Sequence, residues 1–301
     1  MMSKSKKLFI GITSFNSAVF LGSTLEAAQR NTDPDSTRIV VLDNESTDRS
    51  RELALDYGVE VVNRSCTQPQ ALNHLLGLSR SEFTLLIHSD VILLSPQWLE
   101  VCERRMTGKV ALISPEDIGC GPYTRPWGKN RPESSFLLFR TEMARAARSW
   151  YRVQRFKIRW PYRALNFFGD HVTHSLPEAL AAHGYTWVMM SVHTSKFEDN
   201  PIYQPKFKPK IWSDSLSFYR YGLGNFYSLD GHMTHYHNWF DRTVGESVQL
   251  DGESQQTFPE KDGLPLAYVK AYTEKFLSDY QNRTLIIPEV SEVRRESHLD
   301  E

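Results

Sequence analysis

Cysteine is scarce in this chain, with only Cys66, Cys102 and Cys120 among 301 residues. An odd number without metal-ligand spacing argues against a disulfide framework and fits a reducing compartment. A charge of one sign is lacking too. With 35 basic against 36 acidic residues, no global field draws the chain to nucleic acid. No apolar run approaches the roughly 20 residues that span a bilayer. The N-terminal lysines lead straight into strand residues Leu8 to Ile12, without the apolar core of a signal peptide. Internal repeats and low-complexity segments are absent. The expectation is a soluble, cytoplasmic protein with enough residues for one large domain, or one domain and an extension.

Two acidic landmarks are present instead. Arg38-Ile-Val-Val-Leu-Asp43 and Phe83-Thr-Leu-Leu-Ile-His-Ser-Asp90 are apolar runs, rich in β-branched residues, that stop at an aspartate. Each is too short for a helix and reads as a buried parallel strand. In open α/β sheets the carboxyl ends of such strands line the ligand crevice. Two carboxylates delivered there, among hydroxyls and amides, suit a nucleoside and a divalent cation.

The order of elements supports that placement. Strands are predicted at Leu8–Ile12, Ile39–Leu42, Val59–Val62 and Phe83–Ile87. Between them fall helices at Val19–Gln29, from Ser46 and Thr47 to Gly58, and at Gln70–Ser79. Alternating strand and helix over some 90 residues predicts a doubly wound, mostly parallel α/β sheet. Past Trp98 come strands at Val110–Ser114, Ser134–Arg140 and Tyr185–Val192, and helices near Thr141–Trp150 and ending at His183. Gly119 to Glu133 is rich in Gly, Pro and Arg and reads as a long functional loop. Leu266, Val269, Tyr272, Phe276 and Tyr280 form an apolar stripe at helical spacing, best read as a helix packed back on the domain. The predicted division is a domain over 1–245, with its nucleotide-binding half over about 1–100, and a helical extension over 246–301.

Several motifs now carry a resemblance. Ile12-Thr13-Ser14-Phe15-Asn16, Leu42-Asp43-Asn44-Glu45-Ser46-Thr47-Asp48, a helix bearing Asn73, and Asp90-Val91 followed by Ser95-Pro96-Gln97-Trp98-Leu99 resemble the family 2 glycosyltransferases of GT-A fold. The resemblance is good from about Leu8 to Leu99, is patchy to about His193, and stops there. It implies a nucleotide-diphosphate sugar donor and Mn²⁺ or Mg²⁺. By the same resemblance, Thr13, Ser14, Asn16, Asp43, Asn44, Asn73 and Ser89 line the nucleotide site. Asp43 and Asp48 also suit helix caps.

At the second landmark the family usually offers Asp-x-Asp, where this chain has His88-Ser89-Asp90. A metal held by carboxylate neutralises the departing diphosphate, which makes Asp90 the expected ligand. Imidazole is a poorer partner for Mg²⁺ than for Mn²⁺, so Mn²⁺ is expected to be preferred. His193 follows Asp170 at the distance of the family's third metal ligand. His88, His235 and His237 are alternatives, the last two on one face of a strand. Phe167-Phe168-Gly169-Asp170-His171 resembles the acidic motif whose carboxylate deprotonates the acceptor hydroxyl in inverting transfer. Asp170 is the expected base, and a one-residue shift of register would move that role to His171. As an N-cap, Asp170 would serve only structure.

Arg145 to Arg163 interleaves seven basic residues with aromatics and contains no acid. Its bland explanation is a solvated helix face with buried aromatics. Its functional one is peripheral contact with a membrane or a lipid-linked acceptor. The resulting expectation is a metal-dependent, inverting glycosyltransferase acting on a glycan or lipid-linked hydroxyl. Two alternatives stay open, a nucleotidyltransferase and a non-catalytic binding module. Against the nucleotidyltransferase, Gly11-Ile-Thr-Ser-Phe-Asn16 is not a glycine-rich phosphate loop.

Overall fold

The computed structural model describes residues 6–117, 119–120, 123–124, 130–147, 172–173, 175–193, 221, 224–238 and 266–287. The first half alternates β1 (Leu8–Ser14), α1 (Ala18–Arg30), β2 (Thr37–Asp43), α2 (Ser50–Asp56), β3 (Glu60–Asn63), α3 (Gln68–Leu78) and β4 (Phe83–His88). These strands pair in parallel in the order β3-β2-β1-β4. The apolar runs of β1, β2 and β4 are largely buried on both faces, as a sheet covered on two sides requires, whereas β3 at the edge is partly exposed. Ile10, Ile12, Val41, Leu85 and Ile87 face a core shared with Phe20, Leu21 and Leu25 of α1. Phe9, Val40, Leu42 and Leu86 face the other way, onto Ala71, Leu72 and Leu75 of α3. Gly11 permits that second layer to approach, because a Cβ there would lie 2.9 Å from Leu86 Cδ2 and 3.0 Å from Leu75 Cβ.

The second half adds β5 (Val91–Leu93), α4 (Trp98–Arg105), β6 (Val110–Pro115), β7 (Gly119–Cys120), β8 (Tyr123–Thr124), β9 (Phe136–Arg140), α5 (Thr141–Ala146), α6 (Leu176–Ala181), β10 (Thr186–His193), β11 (Gly224–Leu229), β12 (His232–Asn238) and α7 (Leu266–Gln281). The large sheet runs β3-β2-β1-β4-β9-β6-β10-β11-β12-β5. It is mixed where a mostly parallel sheet was expected. β9 lies antiparallel between β4 and β6, and the ladders from β10 through β11 and β12 to β5 are antiparallel. One cause is local. Asp230 and Gly231 have φ of 49° and 79°, the positive pair of a two-residue hairpin turn, and this turn forces β11 and β12 to run in opposite directions.

Of the C-terminal apolar stripe, Phe276 and Tyr280 are buried. Phe276 stacks on Phe20 of α1 and Tyr236 of β12, with ring centroids 5.8 and 3.8 Å away. The base motif at Asp170 and His171, the basic segment beyond Ala147 and the predicted boundary at 245/246 lie outside the described residues.

Candidate metal and nucleotide site

The strand order reverses at β1, which has β2 on one side and β4 on the other. The crevice at the carboxyl ends there is the expected ligand position of a doubly wound sheet. Register places Ser14 beside Asp43 and Thr13 beside His88, so the two acidic landmarks flank the end of one central strand.

Around Asp43 the chain folds into a tight polar loop. The Asp43 carboxylate, 1% exposed, accepts Ser46 N–H at 2.9 Å and Ser46 Oγ–H at 2.5 Å. Ser46 Oγ in turn accepts Asn16 N–H at 2.9 Å, and Asn16 Oδ1 accepts Thr47 N–H at 2.8 Å. Asn44 Oδ1 accepts Cys66 N–H. Asn16 and Glu45 sit at positive φ of 50° and 57°, a conformation that Asn tolerates better than most residues. The helix expected to start at Ser46 or Thr47 begins instead at Ser50. Asp48 accounts for the shift, since its carboxylate accepts Ser50 N–H and Oγ–H while its other oxygen accepts Ala18 N–H at the start of α1. Both Asp48 oxygens therefore serve helix starts.

Two polar atoms in this loop are buried without a hydrogen-bond partner: Ser14 Oγ and Asn16 Nδ2. Buried polar atoms are normally paired, which sets these two apart from the rest of the loop. Ser89 is engaged elsewhere, donating to Ser17 Oγ at 2.7 Å. Asn73 is half-buried on α3.

The second cluster assembles from distant segments. Asp90 lies two residues past β4, immediately before β5, and its carbonyl accepts Asn238 N–H as β5 pairs with β12. That pairing sets His237 opposite Val91 and so brings His237 to Asp90. One ligand atom each from His88, Asp90 and His237 lie within 4.8 Å of one another. The rings of His88 and His237 meet edge-on at 5.7 Å. Gln68 Nε2, from the first turn of α3, lies 2.8 Å from His88 Nε2 and orients that ring. Asp90 Oδ1 is buried and makes a 3.4 Å ion contact with His237 Nε2, beyond ordinary hydrogen-bond length. On the far side, His237 Nδ1 lies 2.9 Å from Glu133 Oε1.

Burial alone would keep His237 neutral. Asp90 and Glu133 oppose it, and at about 3 Å each carboxylate favours the cation by on the order of 5 kcal/mol at an effective dielectric of about 20. The pair wins, and the imidazole pKa is pushed up to about 10. The pocket thus favours a positive charge between the two carboxylates. Two imidazoles and a carboxylate form a donor set that suits divalent transition ions, so the residues present fit the implied metal.

The other histidines are placed differently. His193, at the end of β10, is buried with Nε2 2.7 Å from Ser228 Oγ, and burial lowers its pKa. It is not one of the three clustered residues. His235 is stacked between Phe136 and Tyr227, with centroids 4.2 and 4.5 Å away, and its Nδ1 meets Thr234 Oγ1 at 3.0 Å. Full burial, with His237 beside it, pushes its pKa well below 6.5. Arg145 pairs with Glu142 at 3.1 Å and donates to the Ser79 carbonyl.

Glu133 and Gln68 were not singled out in the sequence. Glu133 closes a Gly, Pro and Arg-rich loop that reads as exposed, yet it is 2% exposed. Gln68 carried a usable signal, since Thr67-Gln68-Pro69-Gln70 is a capping box with proline in the first turn. That pattern fixes a helix start beside the crevice.

A model of glycosyl transferase family 2 matches residues 9–176, more than half of the chain, and the protein belongs to that family. Its sheet and helices are those of the GT-A fold. No curated protein matches the chain. Among solved structures it is similar to the mannosyltransferase PcManGT from Pyrobaculum calidifontis in complex with GDP-Man and Mn²⁺. Identity is 13% and the TM-score 0.46, covering 62% of this chain and 55% of that one. It is also similar to TarS from S. aureus, at 16% identity and a TM-score of 0.39, over 48% of this chain and 50% of that one. A third is glucosyl-3-phosphoglycerate synthase from Mycobacterium tuberculosis with Mn²⁺, UDP and glucosyl-3-phosphoglycerate, at 19% identity and 0.38, over 46% and 58%. The chain thus spans about half the length of these structures. No helix among the described residues is long and apolar enough to cross a membrane.

Proposed function

We propose that this protein is a metal-dependent glycosyltransferase that moves a sugar from a nucleoside-diphosphate donor to an acceptor hydroxyl. The observation that carries the proposal is the meeting of His88, Asp90 and His237 at the carboxyl edge of β4, beside the polar loop of Asp43, in a chain of family 2. A divalent ion at those three residues would neutralise charge developing on the diphosphate, with no proton transfer needed for that purpose. Ser14, Asn16 and the Asp43–Ser46 loop receive the nucleoside. Thr13, the register partner of His88, lies between the two halves of the site.

Inversion through Asp170 rests on sequence pattern. In that account the carboxylate accepts the acceptor proton as the oxygen attacks the anomeric carbon from the face opposite the diphosphate. The acceptor is a hydroxyl of a glycan or a lipid-linked sugar, a reading supported by the basic sequence of Arg145–Arg163. A panel of nucleotide sugars, assayed for donor turnover with Mn²⁺, with Mg²⁺ and in EDTA, tests the proposal. Turnover supported best by Mn²⁺ and abolished by Asp90→Ala is expected. In the same assay Asp170→Asn lowers transfer by about 10²–10⁴-fold if it is the base. Equal turnover in EDTA would remove the metal from the account.

A further inference from the structure

Glu133 is built into the protein with unusual care for a residue at the end of a loop. Glu133 N–H donates to the Pro115 carbonyl at 2.9 Å, anchoring the residue beside β6. Its Oε1 accepts from Ser135 Oγ and lies 2.9 Å from His237 Nδ1, at ion-pair distance. Its Oε2 accepts the Tyr227 hydroxyl of β11 at 2.9 Å. Both oxygens are thus filled, and the carboxylate cannot swing away from the imidazole without breaking a buried hydrogen bond. His88 N–H donates to the Ser135 carbonyl, so the segment that holds Glu133 also fixes the backbone of a second clustered residue. His237, for its part, presents Nε2 toward Asp90 at 3.4 Å.

We propose that Glu133 is the positioning residue of the metal site. It takes the Nδ1–H of His237, commits the ring to the tautomer whose Nε2 lone pair faces Asp90 and His88, and so favours transition ions over Mg²⁺ there. The inference rests on the metal-site reading above. Its physical basis is general. A ligating histidine is oriented by the partner of its other nitrogen, and a carboxylate partner raises its basicity. Greater basicity at nitrogen strengthens bonds to Mn²⁺ or Co²⁺ far more than to Mg²⁺, which prefers oxygen.

The test is Co²⁺ and Mn²⁺ binding by the full chain, followed by visible absorption of the bound Co²⁺ and by calorimetry. The parent should give a Co²⁺ spectrum that Asp90→Asn abolishes. Absence of any Co²⁺ or Mn²⁺ binding by the parent overturns both the metal-site reading and this inference. Glu133→Gln keeps an acceptor for Nδ1–H and loses the charge. It should weaken Co²⁺ and Mn²⁺ by about 10–100-fold, shift the Co²⁺ spectrum and leave Mg²⁺ binding nearly unchanged. Parent-like Mn²⁺ affinity with a parent-like Co²⁺ spectrum in Glu133→Gln overturns the inference alone. Should Glu133→Gln fail to fold, Tyr227→Phe decides. It removes one hydrogen bond from Glu133 without touching His237, and a loss of Mn²⁺ affinity of several-fold without loss of Mg²⁺ affinity supports the positioning role. Unchanged Mn²⁺ affinity in Tyr227→Phe contradicts it.

Discussion

Loading the His88, Asp90 and His237 site with a divalent ion should release about one proton near neutral pH. The metal-free imidazole of His237 is held protonated by the Asp90 and Glu133 carboxylates, with its pKa pushed up to about 10. An ion bound at Nε2 must displace that proton, while the Nδ1–H stays on Glu133. At pH 7.5 the displacement costs about 3–4 kcal/mol, taking about 1.4 kcal/mol for each unit between pH and pKa. Apparent Mn²⁺ affinity should therefore rise close to tenfold from pH 7.5 to 8.5. Calorimetry of Mn²⁺ binding in buffers of different ionisation enthalpy measures the proton directly, as the slope of observed heat against buffer heat. A slope near one is expected in the parent. His237→Gln should bind more weakly and show a slope near zero. A parent slope near zero, with affinity flat over that pH range, would refute the argument, because it would mean that His237 is neutral before the ion arrives or is no ligand. The same pKa bears on the metal-free protein. A folded pKa above the ordinary 6.5 contributes stability that is fully present below 6.5 and lost as pH rises through about 10.

Other outcomes follow from neighbouring residues. Asp43→Ala removes the acceptor for Ser46 N–H and Oγ–H and should cost about 1–3 kcal/mol of folding stability in urea denaturation. Nucleoside diphosphate affinity should fall with it, whereas unchanged stability and affinity would mean that the loop holds its shape without the carboxylate. His235 is buried neutral between Phe136 and Tyr227, so its stabilising contribution is present above pH 6.5 and is lost as pH falls below it, at up to about 1.4 kcal/mol per unit for one proton. His235→Phe keeps the stack and should lose less stability than the parent between pH 7 and 5. An equal loss in both would place the acid sensitivity on other groups.

The parallel half of the sheet was legible because its information is local. Val40-Val41-Leu42 and Phe83-Thr84-Leu85-Leu86-Ile87 are buried on both faces, with Ile39 half-buried ahead of the first, so each reads as an unbroken apolar strand bounded by polar residues. The antiparallel end depends on pairings across long separations. β5 finds its place only by pairing with β12, and no pattern in Val91-Ile92-Leu93 specifies that partner. Asp230-Gly231 was an available hairpin signal, and it would have defined β11 and β12 together. For the site, the acidic ends of β2 and β4 were visible as sequence. The convergence of His237 on Asp90 was not, because the two meet through that same remote pairing. Glu133 was hidden for a related reason. An acid closing a Gly and Pro-rich loop is ordinarily exposed, and its burial here depends on Tyr227, 94 residues away.

Anomalous diffraction from a crystal of the protein grown with Mn²⁺ and a nucleoside diphosphate tests the central claim most directly. One strong Mn²⁺ peak bonded to His88, Asp90 and His237 is expected, with the diphosphate on its open side and the nucleoside against the Asp43–Ser46 loop. A Mn²⁺ peak bonded to His193 with those three residues unligated, or a diphosphate bound with no ion beside Asp90, would contradict it.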